Sequence, residues 1–275
     1  MITTKNGAPS GEIIDIVELK SLMVSILKDV DTFCRDNNIH YFLTYGTLLG
    51  AVRHKGYIPW DDDIDIHMPR PDYMRFMKEY SHKYYKAYSA EFTPEWDHYI
   101  AKVCDERTII DEGHGDKCGV YIDIFPLDGW PKGGKVSRRL HYWIILYYLR
   151  LWSSLHYTQH LTIVRRNGLS KNLRIILSKF LGHFYTSRKV LNQLIRTKMK
   201  YSYEDSQYVG SLTCGMWSIM PREKCDNLID WDFEGNKFLI PESYDEWLTQ
   251  IYENYMQLPP ADQRVSRHGF KAYWK

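Results

Sequence analysis

The chain has 275 residues, 44% of them hydrophobic and 25% charged, an ordinary balance for a folded protein whose core could fill one large domain or two small ones. Its longest apolar stretch, Trp143–Leu149, is too short to span a bilayer, and Met1–Gly11 lacks the apolar run of a signal peptide. These features set aside a membrane-spanning chain and lead to the expectation of a cytoplasmic location. The net charge of +2 hides an asymmetry: of 36 Lys and Arg residues, 15 fall between Lys132 and Lys200, where there is no Asp or Glu, leaving 21 basic against 34 acidic residues elsewhere.

After a polar start, apolar residues recur at three- and four-residue intervals from Leu19 to Cys34, the pattern of an amphipathic helix. Asp36-Asn37-Asn38 breaks it. Ile39–Thr44 is β-prone, Tyr45-Gly46-Thr47 reads as a turn, and Leu48–Arg53 as a short helix. A loop at His54-Lys55-Gly56 leads to a short strand around Ile64 and Ile66, ended by Met68-Pro69-Arg70-Pro71. Asp72–Lys86 has helical composition. Strand-like runs return at Tyr99–Val103, Thr108–Ile110 and Val120–Phe125, with a loop at Gly113–Gly119. The cationic segment holds two expected helices, about 137–155 and 172–200, and residues 206–275 read as loop-rich with one helix near Tyr244–Tyr255. The expected organisation is a core over 12–131, a basic helical insertion over 132–205, and a C-terminal part over 206–275 that packs back on the core.

The most informative stretch is Trp60-Asp61-Asp62-Asp63-Ile64-Asp65-Ile66. On a strand, alternation puts Asp63 and Asp65 on one face and Ile64 and Ile66 on the other. Adjacent carboxylates repel, and a hard divalent cation removes that cost. Asp123, alone in the apolar run Gly119–Phe125, needs a partner of the same kind. A calcium-binding EF-hand is disfavoured, because Ile66 stands where such a loop needs glycine and Pro69 and Pro71 interrupt it. Upstream, a Gly46-Thr47 turn opening a helix offers free backbone N–H groups to an anion. Arg53, His54 and Lys55 either pair with phosphate oxygens or form a solvent-exposed basic loop.

This order of motifs, Gly46-Thr47, then Asp63-x-Asp65, then a lone strand Asp123, resembles the nucleotidyltransferase superfamily. The run YFLTYGTLLGAVRHKGYIPWDDDIDI and the block GVYIDIFPLDGWP resemble the LicD family, as do WSIMPREKC, FEGNKFLIPESYDEWL and YENYMQLPP towards the C-terminus. The likeness covers about residues 35–130 and 208–262 and leaves out the basic segment. It implies an α/β (α+β) fold: a nucleotidyltransferase-type mixed sheet flanked by helices. It also implies transfer of phosphocholine from CDP-choline to a sugar hydroxyl of a cell-surface glycan. Relatives such as fukutin-related protein use a CDP-linked ribitol phosphate donor. By the same resemblance, Asp63, Asp65 and Asp123 form the catalytic centre and, with Asp61, hold Mg2+ or Mn2+. Gly46 and Thr47 contact the donor diphosphate. Ribitol- or glycerol-phosphate transfer, and nucleotidyl transfer to a small-molecule hydroxyl, are the alternatives.

Three further expectations concern the rest of the chain. The five cysteines, none spaced CxxC, read as reduced thiols in place of a disulfide framework or zinc site. A quaternary ammonium favours an aromatic cage, for which Tyr57, Trp60, Trp130 and Trp217 lie near the motifs. Residues 132–200 either contact an anionic membrane peripherally, at its inner face where a lipid-linked glycan acceptor is anchored, or form an ordinary helical insertion. A nucleic-acid partner is not expected, since the remainder of the chain is acidic and carries no recognisable binding motif.

Overall fold

The computed structural model describes residues 11–111, 118–158, 161, 168–211, 215–266 and 271–275; the expected N-terminal tail, most of the 113–119 loop and Cys214 lie outside them. In chain order the elements are β1 (Ile13–Ile14), α1 (Ile16–Asp36), β2 (Phe42–Leu43), α2 (Tyr45–His54), β3 (Asp65–Pro69), α3 (Arg70–Glu79), β4 (Tyr85–Tyr88), β5 (Ala101–Asp105), β6 (Thr108–Asp111) and β7 (Tyr121–Gly129). There follow α4 (Lys135–Ser153), α5 (Gly168–Leu181), α6 (Ser187–Lys198), β8 (Tyr208–Gly210), β9 (Met220–Pro221), α7 (Glu223–Asp226), β10 (Leu228–Phe233), β11 (Asn236–Pro241), α8 (Tyr244–Tyr252) and β12 (Lys271–Trp274). The mixture of helices and a mixed sheet is the α/β (α+β) class expected. The chain forms two compact units. One comprises the described residues up to Tyr88, Ile100–Leu127 and Met220–Lys275, and the other Ser89–Tyr99 and Asp128–Ile219.

The first unit is built on a mixed sheet of strand order β2-β3-β7-β5-β4, in which β3 and β7 run parallel and the other neighbours antiparallel. Two-sided burial explains its central strands: Ile64, Ile66, Met68, Ile122, Ile124 and Leu127 are fully buried. Helix α1 starts where the Asp15 carboxylate accepts from the N–H groups of Val17 and Glu18, both at 2.9 Å. It buries the stripe Leu19, Met23, Ile26, Leu27, Val30 and Cys34, each apolar side chain contributing about 1.5–3 kcal/mol. The antiparallel hairpin β10–β11 turns through Glu234 and Gly235, both at positive φ (48° and 70°), as a two-residue turn requires. The Glu234 N–H donates to the Lys55 carbonyl at 3.0 Å and its Oε1 accepts from the Tyr57 N–H at 3.0 Å, so the hairpin tip holds the loop that leads to the acidic run.

The second unit is mainly helical. Helix α4 packs on α6, and Ile145, Trp152, Leu155, Val190, Leu191 and Leu194 form its core with Trp130 and Ala90. A single turn of π-helix, Ser154–Thr158, follows α4, and there the Ser154 and Ser178 hydroxyls meet at 2.8 Å.

Four local expectations are corrected. The expected helix 72–86 ends at Glu79, because Tyr85–Tyr88 pairs with β5 as an edge strand. The expected helix 172–200 is two helices: α5 stops at Leu181, and the Thr186 hydroxyl caps α6 by accepting from the Lys189 N–H. The C-terminal region holds the β10–β11 hairpin in addition to α8. Cys104 and Cys118 form a disulfide, with Cα atoms 6.2 Å apart, in place of two reduced thiols. Antiparallel β5–β7 pairing sets Cys104 opposite Tyr121, and the Ile110 N–H donates to the Cys118 carbonyl, which brings the second sulfur back to the first. Cys34 and Cys225 are free and buried.

Candidate active site

The candidate site lies within the first unit, on one face of its sheet. The parallel pairing of β3 and β7 puts Asp65 directly opposite Asp123, with Asp123 N–H donating to the Ile64 carbonyl at 2.9 Å. Residues opposite one another in neighbouring strands point the same way, so both carboxylates share a face. Asp63 lies two residues before Asp65, in the segment entering the strand. Burial pushes the Asp65 carboxyl well above the usual carboxylate range, and repulsion from Asp63, Asp123 and Asp61 adds to it. Asp61, Asp63 and Asp123, from two separate stretches, are thus close enough to Asp65 to act on its charge.

The Gly46-Thr47 step, expected as a turn, is the first turn of α2. It is bound to the acidic strand at both polar groups of one residue: Asp65 N–H donates to Thr47 Oγ1 at 2.8 Å, and its carbonyl accepts from Thr44 N–H at 3.0 Å. Tyr45, at φ 46°, makes the sharp entry into the helix. Gly46 has no room for a side chain, since a Cβ there would lie 2.5 Å from Asp61 Oδ2; at Gly50 a Cβ would lie 2.4 Å from the Gly56 carbonyl oxygen. Both glycines let the returning loop lie against the helix. The helix start is thereby fixed beside the acidic run with its first N–H groups unused by the helix.

Arg53, His54 and Lys55 occupy the other end of α2, about 10 Å along the axis from Gly46 at 1.5 Å per residue. Arg53 donates through Nη1 to the Tyr255 carbonyl at 2.7 Å and through Nε to His54 Nε2 at 2.9 Å. Burial and then Arg53 hold the His54 imidazole below its ordinary pKa. Lys55 ends the helix in the left-handed conformation, φ 58°. The structure therefore ties Arg53 to the C-terminal segment, with His54 and Lys55 beside it at the same helix end. Of the aromatic residues, Tyr57 donates from its hydroxyl to the Lys20 carbonyl at 3.1 Å, and Trp130 is buried against His141, so both serve packing. Arg264 lies over the Trp60 ring, and Trp217 is partly exposed.

Sequence reasoning missed three residues. Lys102, on β5 opposite Asp123, brings its ammonium to 2.9 Å from Asp123 Oδ1, with only about a tenth of either side chain exposed. Its Nζ also stands 3.1 Å from the centre of the Tyr121 ring. Ser266 Oγ donates to Asp62 Oδ2 at 2.8 Å. The signal for Lys102 was the one used for Asp123, a single charge inside an apolar run; Ser266 has no local signal. The third, His67, is on the same strand as Asp65 but is enclosed by Phe42, Tyr45, Phe125 and Trp247. Burial lowers its pKa to about 3, so it stays neutral, donating from Nδ1 to the Phe125 carbonyl at 3.0 Å.

The donor set is made of carboxylate oxygens only, and the crowding around Asp65 disfavours its ionised form. That chemistry fits a hard divalent cation such as Mg2+ or Mn2+. Among the described residues, no three His, Cys, Asp or Glu side chains are already gathered as a metal cage, and the Lys102 ammonium supplies the positive charge against Asp123.

A helix start fastened to an acidic strand, with a second strand presenting an aspartate in register, is the layout of a nucleotidyltransferase-type domain. Residues 38–170 match the family described as "LicD/FKTN/FKRP, nucleotidyltransferase domain". The chain belongs to the LicD family: over 264 residues, 93% of this chain and 97% of the relative, it is 35% identical to the lipopolysaccharide cholinephosphotransferase LicD of Haemophilus influenzae. Shorter matches link it to uncharacterized proteins of Rickettsia typhi, 45% identical over 23% of this chain and 21% of that protein, and of Rickettsia prowazekii, 48% identical over 18% and 19%. Among the described residues, no helix is long and apolar enough to cross a membrane.

Proposed function

We propose that this protein is a divalent-metal-dependent phosphotransferase that moves phosphocholine from CDP-choline to a hydroxyl of a cell-surface glycan, lipopolysaccharide being the acceptor class that its Haemophilus relative names. The observation that carries the chemistry is the in-register pair Asp65–Asp123, with Asp63 and Asp61 near enough to raise the Asp65 pKa. Full-length similarity to a cholinephosphotransferase supports the choice of transferred group.

Phosphoryl transfer asks a protein mainly to position its reactants and neutralise charge. Asp61, Asp63, Asp65 and Asp123 are the residues that would hold Mg2+ or Mn2+. A bound ion there supplies neutralisation of the donor diphosphate and of the leaving CMP. The N–H groups at the start of α2 orient donor phosphate oxygens, and Gly46 keeps the approach open. Asp123 accepts the acceptor hydroxyl proton as general base. Lys102 restrains the Asp123 carboxylate between turnovers and offers a cation to the phosphoryl oxygens.

The test is incubation of the purified protein and Mg2+ with CDP-choline, CDP-ribitol or CDP-glycerol and a lipopolysaccharide acceptor, with products separated by chromatography. CMP release from CDP-choline, matched by phosphocholine on the glycan, is expected. Preferential use of another CDP-alcohol would reassign the donor. Pyrophosphate release from a nucleoside triphosphate would instead make the protein a nucleotidyl transferase.

A further inference from the structure

Two helices of the second unit wear their apolar residues on the outside. In α4, His141, Ile145 and Trp152 face inward, while Val136, Leu140, Trp143 and Tyr147 are all more than half exposed. At 100° per residue the spacing 136, 140, 143, 147 is one continuous stripe, centred opposite Ile145. Helix α5 repeats the arrangement independently: Ile175 and Ser178 are fully buried, and Leu173, Ile176, Leu177 and Phe180 are more than half exposed on the opposite side. A helix packed on a water-soluble surface has the reverse pattern.

The charges decide what these stripes face. On α5 the exposed side chains of Arg174 and Lys179 lie on either flank of the apolar stripe, and on α4 exposed Lys135, Arg139 and Arg150 line one flank. No acidic residue occurs anywhere between Lys132 and Lys200. Apolar residues outermost with cations beside them suit the boundary of an anionic bilayer, where the apolar side chains enter the acyl region and the cations meet lipid phosphates. A protein partner would need an acidic rim around an apolar patch, a much narrower requirement.

We propose that the outward faces of α4 and α5 form a peripheral docking surface for anionic phospholipid. The docking stands apart from the transferase chemistry, because it uses none of the residues of the first unit and can be measured without a donor.

The experiment is co-sedimentation of the full-length protein with vesicles of phosphatidylcholine alone and of an equal mixture with phosphatidylglycerol, at low and high salt. Binding to the mixed vesicles that weakens with salt, and little binding to phosphatidylcholine, is expected. The triple variant Arg139→Gln, Arg174→Gln, Lys179→Gln should weaken binding by about 100-fold, at roughly fivefold per cation. The double variant Leu173→Ser, Phe180→Ser should weaken it without changing its salt dependence. All five positions are exposed, and circular dichroism confirms folding. Equal binding to both vesicle types, or unchanged binding by both variants, would overturn the proposal. So would a stable dimer, by analytical ultracentrifugation without lipid, that the double variant dissociates, since the stripes would then belong to a second copy. None of these outcomes touches the transferase reading, which CMP release tests separately.

Discussion

Replacing Asp65 by Asn removes one of the crowded carboxylates while keeping its shape and both of its backbone hydrogen bonds. Asp65 and Asp123 sit directly opposite one another on parallel strands about 4.8 Å apart. Two unit charges about 5 Å apart repel by roughly 3 kcal/mol at an effective dielectric of about 20. Asp63 and Asp61 add to this, and Lys102 subtracts from it. Asp65→Asn is therefore predicted to stabilise the metal-free protein at pH 7 by about 1–3 kcal/mol, although it abolishes transfer. The pH dependence has a definite sign. A carboxyl whose folded pKa lies above its unfolded value, as for Asp65, binds protons more tightly when folded. Its cost to the wild type is thus absent below the unfolded pKa, grows as pH rises towards the folded pKa, and is complete above it. The advantage of Asp65→Asn should shrink to nothing as pH falls below about 4. Urea unfolding in chelator at several pH values measures it. A variant that is less stable than wild type at pH 7, or an advantage that does not depend on pH, would refute the reasoning.

Three other substitutions probe the neighbouring parts. Lys102→Met leaves Asp123 buried without its counter-charge and should lower stability by about 3 kcal/mol in chelator; Mg2+ should restore more of that loss than it adds to wild type, as read from thermal melts. Gly46→Ala pushes a methyl group towards Asp61, and steady-state kinetics should find kcat/KM for the donor reduced at least about tenfold, or 1.4 kcal/mol, with the melting temperature little changed. Cys104→Ser opens a loop of sequence separation 14, and denaturant unfolding under oxidising conditions should find it about 3 kcal/mol less stable than wild type, a difference that a reductant should erase.

Much of the site could be read from the sequence because its chemistry is local and conspicuous. Asp65 and Asp123 are charges set in β-prone apolar runs, and alternation says which face they occupy, whereas Asp63 stands just before β3. Helix α1 announced itself by its apolar spacing. What could not be read depends on partners distant in sequence. Tyr85–Tyr88 is a strand only because β5 lies beside it, and local composition there favours helix. The β10–β11 turn uses Glu234 at positive φ, which no Asn-Gly signal betrays. Cys104 and Cys118 meet because β5, which holds the first, pairs with β7, which begins just after the second. Arg53 also has a partner that local sequence does not signal: about two turns along α2 from Gly46, its guanidinium holds the Tyr255 carbonyl.

The central claim is that Asp63, Asp65 and Asp123 together bind a divalent ion. Titration of the protein with Mn2+, followed by the loss of the free-ion electron paramagnetic resonance signal, tests it without any substrate. Saturable binding by wild type that is lost in Asp63→Asn, Asp65→Asn and Asp123→Asn, and is competed by Mg2+, is the predicted result. Mn2+ binding that survives unchanged in Asp123→Asn would contradict the account.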